Sequence, residues 1–157
     1  MQFTCIEPYP RPHLEVLAKR RMGLSHCIVD IVQAVGPDTF AQLGDGDMLL
    51  IDSSHVAKTG SDVTYLFEHV LPWLSPGVFV HFHDIFLPRD YPAKWQIEQG
   101  RHWNEQYVLK AFLQFNTCFE VTWGAAMMQT LYDHEVRRCF PRFPEFGGGA
   151  SFWIRRT

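Results

Sequence analysis

The chain has 157 residues, of which 46% are hydrophobic and 15% aromatic, and its formal net charge is −3. A chain of this length folds as one domain that buries roughly two-thirds of its unfolded surface, so we expect a single domain over residues 1–157. No stretch approaches the ~18 apolar residues of a membrane span, and the chain start has neither the basic segment nor the length of a signal peptide. The composition therefore predicts a cytoplasmic protein that does not bind membranes.

The charge balance also excludes a chain-wide attraction to nucleic acid, because 17 acidic residues face 14 basic ones. The C-terminal third does collect five arginines, at positions 137, 138, 142, 155 and 156. No aromatic RNA-binding motif accompanies them, so we interpret them as a solvated surface. The four cysteines are isolated, without a CxxC pair, and are expected to be reduced thiols.

Strand and helix signals alternate along the chain. In chain order we predict a strand at 2–7, a helix at 13–21, a strand at 27–35, a short helix at 39–43, strands at 48–51 and 78–82 around a helix at 59–74, a proline-rich loop at 84–101, a helix at 104–115, and strands at 119–123 and 151–155. The stretch between the last two strands, including Gly147 to Gly149, is expected to be a mobile loop. The pattern predicts an α/β fold, with a doubly wound, mostly parallel sheet of about six strands that closes in an antiparallel pair.

The unit at residues 48–84 is the most informative part of the chain. Two apolar strands each end in ionisable residues, Asp52 to His55 after the first and His81 to Asp84 after the second. The helix between them presents one apolar stripe, and Thr59 with Asp62 is interpreted as its capping box. A right-handed crossover makes the two strands parallel, so both polar clusters are expected at the same edge of the sheet, where open α/β sheets bind ligands.

Five motifs carry a resemblance to a known family. They are Cys5-Ile6-Glu7-Pro8, Ile51-Asp52-Ser53-Ser54-His55, Gly60-Ser61-Asp62-Val63, Leu71-Pro72-Trp73-Leu74-Ser75-Pro76-Gly77 and Val80-His81-Phe82-His83-Asp84-Ile85. In this order and spacing the chain resembles class I S-adenosylmethionine-dependent methyltransferases, in particular small-molecule O-methyltransferase-like members. The resemblance implies a Rossmann-like sheet and transfer of a methyl group to a hydroxyl of a small molecule.

The resemblance also implies seven strands, of which this sequence supplies six. The first strand of the fold and its glycine-rich loop, which cradles the methionine part of the cofactor, have no counterpart before Glu7. We therefore expect the C-terminal portion of a methyltransferase domain. A second chain that supplies the absent strand across a homo-oligomer is left open as an alternative.

The residues that match the family are assigned to the cofactor and to catalysis. Glu7, after the first strand, is expected to accept hydrogen bonds from the ribose hydroxyls of S-adenosylmethionine, and Gln33 to contact the adenine edge. Asp52 ends an apolar run where a bare carboxylate is costly, so a role in the site is expected. His55 is predicted to be the general base for the acceptor hydroxyl, with a turn-capping role as the alternative.

A divalent metal is a further expectation, because some relatives hold one at these strand ends. Asp52, His83 and Asp84 together offer the nitrogen and oxygen ligands that suit Mg²⁺ or Mn²⁺. His81 lies deeper in its strand and is interpreted as a hydrogen-bonded core residue. The aromatic residues Tyr91 and Trp103 of the long loop are expected to line either the acceptor pocket or a packed lid.

Two other functions remain as alternatives. A non-catalytic binding or scaffold domain derived from a methyltransferase is compatible with the missing loop. A metal-dependent hydrolase is suggested by His81-x-His83-Asp84 alone, although no further histidine follows Asp84.

Overall fold

The computed structural model describes residues 2–20, 23–140, 142 and 150–157. These residues divide into two compact units, Met1–Phe40 and Ala41–Thr157. The units are described separately, and the expected single domain over 1–157 stays a prediction. No helix of the described ranges has both the length and the apolar character that crossing a bilayer demands.

The first unit is built around a two-stranded parallel sheet. Its elements are β1 (Thr4–Ile6), α1 (Pro12–Arg20) and β2 (His26–Ile28), followed by 3₁₀ turns at Val32–Ala34 and Pro37–Thr39. In the parallel pair, Cys5 lies opposite Cys27.

Both strands of the first unit are shorter than expected, and the prediction that β2 continues to residue 35 is wrong. After Ile28 the Asp30 carboxylate accepts a hydrogen bond from the backbone N–H of Ile31, at 2.8 Å. Such a local bond competes with strand pairing. Gln33 therefore lies in a 3₁₀ turn and not at a strand end.

The second unit contains the remaining strands and helices. They are β3 (Met48–Ile51), α2 (Asp62–Tyr65) with its continuation, β4 (Phe79–Phe82), α3 (Glu105–Leu113), β5 (Phe119–Gly124), α4 (Ala125–Leu131), α5 (Asp133–Cys139) and β6 (Phe152–Arg156). The four strands form one sheet in the order β3-β4-β6-β5.

The sheet of the second unit differs from the expected mostly parallel one. β3 and β4 are parallel, whereas β6 pairs antiparallel with both β4 and β5. The closing antiparallel pair is thus confirmed. The six strands are divided between two sheets, and in the larger one a single pairing is parallel. The outer face of β3 also differs from a doubly covered sheet, because Met48 and Leu50 are exposed.

The helix between β3 and β4 follows the predicted pattern. After α2 the chain continues through a π-helical turn (Leu66–Val70) and a 3₁₀ turn (Leu71–Trp73). The predicted apolar stripe is buried throughout: Val63, Leu66, Phe67, Val70, Leu71 and Leu74. The N-cap is Ser61, whose hydroxyl accepts a hydrogen bond from the Thr64 N–H, so the Thr59 capping box is wrong. The helix ends before Gly77, whose φ of +91° suits glycine.

The stretch between β5 and β6 contains two helices that we had not expected. α4 is fixed by Arg89, whose Nη2 donates to the carbonyl of Ala126 at 3.0 Å and to the hydroxyl of Thr130 at 2.7 Å. The residues of α4 are mostly good helix formers, and the glycines downstream obscured this signal. The predicted loop at Gly147 to Gly149 lies outside the described residues.

Candidate functional site

The ends of β3 and β4 place two polar segments side by side. Ile51 and Phe82 are paired in the parallel register, and the N–H of His83 donates to the carbonyl of Ile51 at 2.9 Å. Asp52 and His83 therefore leave the same end of the sheet. This part of the predicted geometry is confirmed, since parallel neighbours carry their following residues to a common edge.

A tight turn after β3 directs His55 inward. The N–H of His55 donates to the hydroxyl of Ser53 at 2.9 Å, and the N–H of Ser54 donates to the Asp62 carboxylate at 2.6 Å. His55 has a φ of +59°, a left-handed conformation that is uncommon outside glycine. The turn leaves only 5% of His55 exposed.

The same turn docks on the beginning of α3. The carbonyl of His55 accepts hydrogen bonds from the N–H groups of Asn104 and Glu105, at 2.9 and 3.2 Å. The Asn104 side chain accepts from the N–H of Ala57 at 2.6 Å and donates to its carbonyl at 3.2 Å. Because the helix N-terminus is satisfied by the turn, Glu105 at the first helical position is brought against the His55 ring.

The imidazole of His55 lies between two carboxylates of opposite exposure. Its Nδ1 is 2.8 Å from Oε2 of Glu105, which is 1% exposed, and its Nε2 is 3.5 Å from Oδ1 of Asp52, which is 62% exposed. The Trp103 ring packs on the imidazole with the centroids 4.1 Å apart. One ring nitrogen is thus held by a buried acid, while the other faces the solvent side.

The surroundings of His55 shift its titration. Burial of the ring lowers the pKa of His55 by disfavouring the imidazolium, but the hydrogen bond to Glu105 and the charges of Glu105, Asp84 and Asp52 together outweigh this, so the pKa is raised above its ordinary value. Oε1 of Glu105 has no hydrogen-bond partner among the described residues. The positively charged ring is therefore the main compensation for this buried carboxylate.

This arrangement suits proton transfer. In the neutral tautomer that donates its Nδ1 hydrogen to Glu105, the Nε2 lone pair points to the exposed side of the ring. His55 can then take up a proton at Nε2, and the imidazolium that forms is stabilised by carboxylates at both nitrogens. The turn-capping alternative is met by the backbone carbonyl of His55, which leaves the side chain available.

The predicted metal ligands do not gather into one group. His83 and Asp84 are neighbours, with Nε2 3.6 Å from Oδ1, and Asp52 instead approaches His55. In the part of the chain that the structure describes, no set of three or more histidine, cysteine, aspartate or glutamate side chains is arranged to hold an ion. The residues do not fit the expected Mg²⁺ or Mn²⁺ site, and no step below uses a metal.

His81 behaves as the sequence predicted. Its Nε2 is 2.9 Å from the hydroxyl of Ser151, which also accepts a hydrogen bond from the Trp153 indole at 2.8 Å. Burial, with a smaller effect from His83, lowers the pKa of His81. His81 is thus a neutral, hydrogen-bonded residue of the sheet.

The two predicted cofactor residues of the first unit are placed differently from each other. Glu7 is half-buried directly after β1, and its Oε1 accepts a hydrogen bond from the N–H of Tyr9 at 2.9 Å. Gln33 is half-buried in the 3₁₀ turn described above. The roles of Glu7 and Gln33 stay predictions.

Sequence reasoning missed Glu105, the residue nearest to the His55 ring nitrogens. An acidic residue in the first turn of a helix is ordinary, because it interacts well with the helix dipole. The signal that could have found it is its spacing: Glu105 is four residues before Leu109 and seven before Phe112, on the side of α3 that faces the core. We had placed Phe115 on that stripe, but it lies beyond the helix and is exposed.

Comparison with known proteins gives one match. A family model described as a methyltransferase domain matches residues 1–85, which is more than half of the chain. The match includes β1 to β4 and the turn that carries His55. Searches among curated proteins and among solved structures found no match.

Proposed function

The chain belongs to the methyltransferase domain family, and from this premise we propose that it transfers a methyl group from S-adenosylmethionine to a hydroxyl group of a small molecule, with His55 as the general base. The observation that carries the proposal is the pair of contacts at His55, Nδ1 to the buried Glu105 and Nε2 toward the exposed Asp52. Such a histidine can remove a proton only from a group that approaches Nε2.

The proposed reaction is a displacement at carbon. The acceptor oxygen forms a bond to the methyl carbon, the bond between that carbon and the sulfonium sulfur breaks, and its electron pair stays on sulfur. The hydroxyl proton goes to Nε2 of His55. S-adenosylmethionine supplies an activated methyl group, so the work of the protein is mainly to align the reactants and to accept the proton.

Glu7 fits a role in holding the ribose of the methyl donor. It is half-buried at the end of a strand, and only Oε1 has a recorded hydrogen bond, to the Tyr9 N–H. The other carboxylate oxygen has the chemistry to accept a hydrogen bond from a ribose hydroxyl. Glu7→Gln is therefore expected to weaken binding of the methyl donor.

Two measurements test the proposal. Calorimetric titration with S-adenosylmethionine and S-adenosylhomocysteine tests donor binding in the wild type, in Glu7→Gln and in His55→Asn. Transfer of a labelled methyl group to a panel of phenols and alcohols tests the chemistry. Asparagine suits the left-handed backbone at position 55 better than most residues.

We expect His55→Asn to bind the donor like the wild type and to lose roughly 10²–10⁴-fold in kcat, the usual contribution of a general base. His134→Asn, at an exposed histidine of α5, is the matched control and is expected to keep full activity. Absence of donor binding at millimolar concentration in the wild type would refute the proposal and favour the scaffold alternative. Unchanged kcat in His55→Asn would refute the role of His55.

A further inference from the structure

An arginine is clamped between two tryptophans beside the candidate site. The guanidinium carbon of Arg101 lies 4.2 Å from the ring centroid of Trp95 and 4.7 Å from that of Trp103. The two indoles meet edge to face at 5.1 Å. A guanidinium held over aromatic rings in this way gains cation–π attraction and loses little freedom on binding a ligand.

The backbone around Arg101 fixes this position. Its N–H donates to the carbonyl of Trp95 at 3.0 Å, after a turn in which Gly100 has a φ of +59°. On the side chain, Nε donates to Oε1 of Gln99 at 2.8 Å. The two terminal nitrogens of the guanidinium have no recorded partner of this kind.

The charge of Arg101 is also uncompensated. No carboxylate of the described residues forms an ion pair with it. Arg137, in contrast, is paired with Asp133 at 2.6 Å, and Arg155 with Asp45 at 3.1 Å. Arg101 is only half-buried, so a ligand can reach the planar edge that its terminal nitrogens present.

Trp103 links this cation to the proposed base. The same indole that lies against the Arg101 guanidinium packs on the His55 imidazole at 4.1 Å. A small molecule that placed a hydroxyl at Nε2 of His55 would therefore have Arg101 within reach of its other end. A carboxylate matches the guanidinium fork in shape and carries a single compensating charge.

We propose that Arg101, held by Trp95 and Trp103, binds the carboxylate of the acceptor, so that the acceptors are small hydroxy acids. This inference rests on the proposed methyl transfer for the role of the second functional group. The carboxylate subsite itself is a binding property that is measured without the methyl donor.

The test is binding of ortho-, meta- and para-hydroxybenzoate, each compared with its amide, by tryptophan fluorescence and calorimetry. We expect at least one acid to bind the wild type more tightly than its amide. Arg101→Gln is expected to weaken that acid roughly 10- to 100-fold, as for loss of a charge-assisted bidentate pair, and to leave the amide unchanged. Arg137→Gln, which removes an arginine from an exposed helix pair, is the control and is expected to bind the acid like the wild type.

Arg101→Lys is the second variant, since it keeps the charge but loses the fork and serves if Arg101→Gln does not fold. It is expected to bind the acid several-fold more weakly than the wild type. Equal binding of acid and amide by the wild type, no binding of any acid at millimolar concentration, or an equal loss of acid and amide in Arg101→Gln would each overturn the proposal. Tighter binding of phenyl phosphate than of the acids would overturn the assignment to carboxylates. Acid binding that depends on Arg101, without any methyl transfer, would uphold the subsite and reject the proposed function.

Discussion

Replacement of Glu105 by glutamine isolates the interaction that sets the state of His55. The substitution keeps the size of a side chain that is 1% exposed and keeps an oxygen that can accept from Nδ1 at the 2.8 Å contact. It removes the negative charge. The variant therefore separates the charge of the carboxylate from its packing.

The magnitude follows from the type of hydrogen bond. A bond between charged groups contributes about 1.5–3 kcal/mol to stability and a neutral one about 1 kcal/mol. Where His55 is protonated in the folded protein, Glu105→Gln is thus expected to lower the free energy of unfolding by about 1–2 kcal/mol. Where His55 is neutral, the loss becomes small, because the buried charge has been removed together with its partner.

The pH dependence has a definite sign. The pKa of His55 is raised in the folded state, so its stabilising contribution is fully present below the pKa of an unfolded histidine. That contribution is lost as the pH rises through the raised pKa. Wild-type stability should decline over this window, and Glu105→Gln should show a weaker decline.

The assay is urea unfolding of both proteins at a series of pH values. Glu68→Gln, at an exposed glutamate, makes the same chemical change without burial and is expected to follow the wild type throughout. A difference between wild type and Glu105→Gln that does not change with pH would refute the reasoning, because it would mean that packing and not charge accounts for the loss.

Two further substitutions test other parts of the site and its support. Asp52→Asn removes an exposed charge 3.5 Å from Nε2 of His55, so we expect a stability change within about 0.5 kcal/mol but a lower apparent pKa of His55 in the pH dependence of methyl transfer; an unchanged profile would count against the contact. Ser61→Ala removes the oxygen that accepts the Thr64 N–H at 3.2 Å and is expected to cost about 1 kcal/mol in thermal unfolding. Thr59→Ala, at the residue that the sequence suggested as the cap, should cost much less, and the reverse order would contradict the structural assignment.

The sequence predicted the core of the second unit well because periodicity was strong there. The stripe from Val63 to Leu74 is buried as expected, and β3 has the predicted bounds Met48–Ile51. A crossover between two parallel strands is a local arrangement with one handedness, so it also predicted that Asp52 and His83 leave the same end of the sheet.

The long-range pairing could not be predicted in the same way. β6 lies between β4 and β5, antiparallel to both, and nothing in the pattern of residues 152–156 specifies two partners. The helices α4 and α5 were missed because a nearby run of glycines suggested a loop. Pairing of strands far apart in sequence depends on the packing of the whole unit.

The site was predicted in part for a similar reason. His55 and Asp52 follow a strand within three residues, so their proximity is a local property. Glu105 approaches His55 from fifty residues away, and the contact depends on hydrogen bonds between the turn and the first N–H groups of α3. Such tertiary contacts leave only a weak trace in sequence, an acid in line with apolar residues.

The left-handed backbone at His55 has a practical consequence for protein engineering. At a φ of +59° most side chains are unfavourable and glycine is comfortable, so His55→Gly deletes the imidazole while relaxing the turn. The vacated space would keep Glu105 on one side and the Trp103 indole on the other, the two neighbours that hold the ring in the native protein. Free imidazole added to this variant would then restore the lost proton acceptor, which would make turnover dependent on the concentration of a simple solute.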